Sequence, residues 1–82
     1  MQAYGFCWYK EGPFGNEGDA VVIADDIMTA RETLLKKFKK EKILDRIVGL
    51  CPAYPGPRWE KLAESTTRSK VVYFDNQDNQ ED

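Results

Sequence analysis

The residues of this chain best equipped for chemistry are two cysteines, five lysines and a run of aromatic side chains. The cysteines are Cys7 and Cys51; the lysines are Lys36, Lys37, Lys39, Lys40 and Lys42; the aromatic run is Tyr4, Phe6, Trp8 and Tyr9. Histidine is absent. That removes the commonest general base, the Ser–His and Cys–His nucleophile pairs and most zinc sites. Two lone cysteines, 44 residues apart, do not make a metal knuckle. Residues 11–18 hold three glycines, but no Lys-Ser/Thr follows to grip a phosphate. Neither a Walker loop, a G-x-G-x-x-G fingerprint nor a paired-carboxylate motif is present. The expectation is a protein that is not an enzyme and uses no cofactor and no metal.

Binding remains, and three features offer it. Tyr4-Gly5-Phe6-Cys7-Trp8-Tyr9 partly resembles the RNP1 strand of RNA-recognition motifs, in which alternate aromatic rings stack on bases. Gln2 and Ala3 stand where that motif has a basic residue and a glycine, and Cys7 stands where it has valine. The motif there follows an earlier strand and helix, whereas here the segment opens the chain. The preferred reading packs Phe6 and Trp8 under a helix, against Leu34 and Phe38.

Lys36, Lys37, Lys39, Lys40 and Lys42 form the second feature. They could contact phosphates, or they could be ordinary solvated helix surface. The third is Tyr54 and Trp59, in and beside a proline segment. Trp and Tyr dominate interface hot spots because they bury a large area with few rotors. Trp59 could equally close the open edge of a small core. Cys7 and Cys51 read as buried apolar fillers, with a disulfide open to them only if their strands are neighbours.

Length and charge bound these options. At 82 residues the chain makes one domain with one core. It is 41% hydrophobic, 32% charged and 12% aromatic, an ordinary globular composition slightly rich in rings. The net charge of −2 advertises no general affinity for nucleic acid or membrane. Seven basic residues nevertheless fall within 31–46, while acidic residues gather before it and in the tail. No apolar segment opens the chain and none approaches a membrane span, so a cytoplasmic protein with reduced thiols is expected.

These residues need a scaffold, and the patterning predicts one. Residues 2–10 alternate as a strand, and neither face is polar. Residues 11–18 read as a loop, and 19–24 as a second strand rich in β-branched residues. A helix follows at about 27–40. Asp26 or Asp25 is its N-cap, Thr29 and Glu32 have capping-box spacing, and Ile27, Ala30, Leu34, Leu35 and Phe38 form its apolar stripe. Residues 42–51 suit helix or strand, with strand favoured because Gly49 and β-branched residues weaken a helix. The proline segment, 52–57, should be irregular. A short helix over 58–65 with Trp59 and Leu62 or Ala63 inward, and a strand over 70–75, complete the domain. Residues 76–82 contain only Asn, Gln, Asp and Glu and are expected to be a disordered tail.

The fold expected is α+β: a small antiparallel sheet of three to four strands with one main helix packed on one face, in β-β-α-β-like order, over residues 1–75. The function expected is a small non-catalytic domain that binds a larger protein. Tyr54 and Trp59 would anchor it, and Lys36, Lys37, Lys39 and Lys40 would steer it toward an acidic partner. As a class, such profiles are similar to phage and mobile-element proteins that block a host enzyme or defence complex. The alternative is a nucleic-acid binder using the lysine face and exposed rings.

Overall fold

The computed structural model describes residues 1–11 and 17–76. Its elements run β1 (Gln2–Lys10), β2 (Glu17–Ala24), α1 (Ile27–Lys40), a 3-10 turn (Leu44–Arg46), β3 (Ile47–Ala53), α2 (Pro57–Glu64) and β4 (Lys70–Asn76). The α+β expectation holds, with four antiparallel strands and two helices. Residues 12–16 and 77–82, most of the expected loop and nearly all of the expected tail, lie outside the described residues.

Sheet order follows from the hairpin and two crossovers. β1 pairs with β2 on one side and β3 on the other, and β4 adds to the far side of β2, giving β3-β1-β2-β4. β2 and β3 both run against β1, so α1 bridges two parallel strands across the strand between them. The two outer edges belong to β3 and β4.

Alternate strand residues point to opposite faces, and here the two faces carry different cores. On the α1 face Phe6, Trp8, Ala20, Val22 and Ala24 meet Ala30, Leu34 and Phe38 of the helix. Trp8 is 1% exposed. Its ring meets Phe38 edge-on at 4.8 Å and stacks on Phe74 at 5.4 Å. Gly18, the register partner of Trp8, makes room for this, since a Cβ there would overlap the indole. The indole Nε1 is buried without a hydrogen-bond partner among the described residues. Beside it, buried Lys10 donates from Nζ to Asn76 Oδ1 at 2.6 Å.

The opposite face carries a thinner layer. Val21 and Ile23 are buried there under α2, whose own buried residue is Ala63. Trp59 is half-buried against Tyr73, with ring centroids 6.0 Å apart.

Both ends of α1 are explained by capping. Asp26 is extended and accepts from the Thr29 N–H at 2.7 Å. Thr29 therefore receives the cap instead of providing one, and the Thr29–Glu32 capping-box spacing is not used. At the C-terminus Ile43 N–H bonds Phe38 O at 3.0 Å and Lys42 N–H bonds Lys39 O at 3.1 Å. This is a Schellman motif with Lys42 in the left-handed position at φ 64°. Ile43 and Phe38 join the same core, supplying the hydrophobic contact that accompanies such motifs.

Several local expectations need correction. Pro52 and Ala53, expected to be irregular, are the last residues of β3. An edge strand tolerates proline because only one of its sides needs ladder hydrogen bonds. Glu17 and Gly18 belong to β2 and Asn76 to β4, because pairing with neighbours extends strands beyond their apolar runs. The favoured strand in 42–51 is present, preceded by the 3-10 turn. Ile27 is exposed at the first turn of α1, where the stripe has run past the sheet. In α2 Ala63 is the inward residue and Leu62 is exposed.

Candidate functional site

α1 and α2 lie on opposite faces of the sheet, which separates the residues singled out by type. Lys36, Lys39 and Lys40 are exposed on the outer side of α1. Lys37 is half-buried; its Nζ pairs with Glu41 at 3.1 Å and lies 5.1 Å from the Phe74 ring centroid. Tyr54 and Trp59 stand on the other side of the sheet and line one cleft of about 120 Å3 with Gly5, Val21, Pro55 and Tyr73. The lysines and the Tyr54–Trp59 pair therefore do not form one patch.

Tyr54 is held out by its backbone. It follows β3 directly, precedes Pro55, and is 72% exposed. Its hydroxyl donates weakly to Glu60 Oε1 at 3.5 Å. Gly56, at φ 101°, turns the chain into α2, and Pro57 occupies the first turn where no N–H is needed. The Arg58 guanidinium lies 4.9 Å from the Trp59 ring centroid. These constraints make the segment after β3 a firm ridge.

Sequence reasoning missed a second groove. On the α1 face, α1 packs mainly over β2 and β4, and β3 reaches the margin of the same core through Ile47 and Leu50. Phe6, Ile27, Met28, Arg31, Leu50 and Pro52 line a groove of about 150 Å3 there. Met28 is 62% exposed and Ile27 47% exposed. Their place on the helical stripe suggested burial for Ile27, and nothing in the local pattern marks the groove. Arg31 has no ion pair among the described residues.

β3 therefore lies between an apolar groove beside Met28 and a mixed polar and apolar cleft beside Tyr54 that also includes Asp19. Its own edge is poorly suited to strand addition. Pro52 has no N–H, and the register shift opposite Tyr9 and Lys10 marks a bulge. Both devices blunt an edge. What this region offers is side chains.

Phe6 and Trp8, the alternate rings of the RNP1-like strand, are buried in the core and expose no face for base stacking. Exposed tyrosines are found instead at Tyr9, Tyr54 and Tyr73.

The half of the sheet that α2 leaves open carries an unusual row. Cys51, Cys7, Asp19 and Asp75 are successive register partners across all four strands. Partial desolvation and then the facing Asp75 raise the Asp19 carboxyl above its ordinary value. The charge of Asp19, with smaller contributions from burial and Asp75, raises the Tyr73 phenol in turn. Cys51 is exposed and Cys7 half-buried, and both thiols are free. The expectation of buried fillers thus fails for Cys51, because an edge strand has no neighbour to cover it.

Among the described residues no cluster of His, Cys, Asp or Glu is arranged to hold a metal ion. No helix among them is long and apolar enough to cross a membrane. Comparison with protein families, curated proteins and solved structures finds no match to this chain.

Proposed function

We propose that this protein is a non-catalytic docking domain. It binds a larger protein through the surface that runs from Met28 over Pro52 to Tyr54 and Trp59. The observation that carries the reading is the concentration of exposed apolar side chains on both sides of β3. Met28, Ile27 and Tyr54 are each about half exposed or more, and two shaped hollows lie beside them. A rigid apolar anchor beside a hollow is the usual centre of a protein interface.

The partner this surface fits presents apolar side chains flanked by carboxylates. Arg31 stands in the groove without an ion pair among the described residues, and Lys36, Lys39 and Lys40 continue the positive charge along α1. Such charge steers approach and adds specificity more than affinity. The lysines thus keep the steering role expected of them, at the margin of the contact. The mode of action is occlusion of the bound surface, as in small phage and mobile-element proteins that block a host enzyme or defence complex. The cytoplasm is the compartment that goes with this reading.

Nucleic-acid binding is supported less well, because the lysines and the exposed tyrosines lie on different faces. One strand cannot follow the lysines and stack on Tyr54 together.

The test is capture from lysate, with and without nuclease, by the tagged protein, its Met28→Glu and Tyr54→Ala variants, and an Arg31→Glu variant. The reading expects one stoichiometric protein held by the parent, lost by Met28→Glu and weakened by the others, with unchanged circular dichroism. A captured protein held equally by all four, or capture that requires nucleic acid, overturns it.

A further inference from the structure

The row across the open half of the sheet sets two thiols directly opposite each other. Cys7 and Cys51 are register partners on neighbouring antiparallel strands, so their side chains leave the same face. Directly opposed residues have Cα atoms about 4.5–5.5 Å apart. That lies inside the window of about 4.4–6.8 Å that a disulfide spans. Cys51 is exposed and Cys7 is half-buried, so a small reagent reaches the pair. α2 covers Val21 and leaves this row uncovered.

We propose that Cys7 and Cys51 are a redox modification site. They form a reversible cross-strand disulfide by exchange with a neutral or cationic low-molecular-weight disulfide. In the first step the Cys51 thiolate attacks the reagent RSSR; a Cys51–SR bond forms and RS⁻ leaves. In the second the Cys7 thiolate attacks Cys51 Sγ; the Cys7–Cys51 bond forms and a second RS⁻ leaves. The two thiol protons end on the two RS⁻ groups. The protein pair loses two electrons and the reagent gains them.

The charge of the surroundings selects the reagent. Asp19 faces Cys7, and Asp75 faces Asp19. This acidic row repels an anionic reagent such as glutathione disulfide and attracts a cationic one such as cystamine. The bond ties β3, which is paired on one side only, to the central strand β1. It also closes the long chain segment between the two cysteines, which restricts the unfolded chain. Cys51 also borders the groove of the docking reading, but the thiol pair is argued from the strand register and stands if that reading fails.

The full-length protein is treated with cystamine or glutathione disulfide at low ionic strength. Thiol titration, intact mass and thermal unfolding are then read. The proposal expects a monomer that has lost both thiols and only their two hydrogens, unfolds at higher temperature, and reverts with dithiothreitol. Cys7→Ser is expected to stop at a stable mixed disulfide on Cys51, and Cys51→Ser to yield no bridge. Cystamine is expected to act severalfold faster relative to glutathione disulfide on the parent than on Asp19→Asn. Lasting adducts on the parent, intermolecular dimers, or two thiols still free after treatment overturn the bridge. A rate ratio unchanged in Asp19→Asn overturns the choice of reagent.

Discussion

The two faces of the sheet differ in how they are covered. On one, a fourteen-residue helix lays Ala30, Leu34 and Phe38 across Phe6, Trp8, Val22 and Phe74. On the other, an eight-residue helix covers Val21 and Ile23 with Ala63 and Trp59, and the acidic cysteine row stays open. Area buried is the main source of stability. The α1 face therefore contributes most of the stability, and the α2 face and the β3 side of the sheet stay more exposed.

This contrast predicts a graded series. Phe38→Ala is expected to cost about 3–5 kcal/mol in urea unfolding, comparable to the whole stability of a domain this size. Gly18→Ala belongs with it, because its methyl meets the Trp8 ring. If either variant unfolds like the parent, the aromatic cluster is not the core. Trp59→Ala on the other face is expected to cost less, about 1–2 kcal/mol, since its ring is only half-buried. A loss equal to that of Phe38→Ala would make the two faces equivalent.

Lys42→Gly acts on the helix end of the stabilising face. The left-handed position at φ 64° suits glycine, so the variant should gain about 0.5–1 kcal/mol. A loss would mean that the Lys42 side chain contributes more than its backbone strain costs. Tyr54→Ala should change stability by less than about 0.5 kcal/mol while weakening partner capture, because the ring is exposed.

The pH-dependent effects have opposite signs on the two sides. The Asp26 carboxylate accepts the Thr29 N–H, which holds its pKa below the ordinary value. It contributes stability above the unfolded-state value, and that stability is lost as pH falls through the folded value. Asp26→Ala should therefore destabilise at neutral pH and lose its effect in acid. Asp19 is shifted upward, so its ionised form costs stability once pH rises through the folded value, and the cost disappears below the unfolded one. Asp19→Asn should gain a few tenths of a kcal/mol at neutral pH, reduced by solvent screening. Unfolding measured from neutral to acid pH checks both signs.

Most elements were legible because their causes are short-range. The α1 bounds follow from an Asp cap and a 3.6-residue stripe, and β1 from alternation over nine residues. The extension of β3 through Pro52 was not legible, since only the partner strand shows that this is an edge. The candidate surface was half legible. Tyr54 stands out by its prolines, whereas the groove at Met28 and Pro52 joins residues more than twenty positions apart. The lysines and Trp59 were equally visible, but their separation onto opposite faces was not.

The sequence by itself determined the α+β class, the position of the main helix and its N-cap, and the absence of a histidine-based site. These depend on residue type and on spacing within a few turns or strand repeats. Only the tertiary structure decided the sheet order β3-β1-β2-β4. With it came the opposition of Cys7 to Cys51 and of Asp19 to Asp75, and the open hollows beside β3. Such pairings depend on which strands become neighbours, a choice made by burying two unequal faces at once.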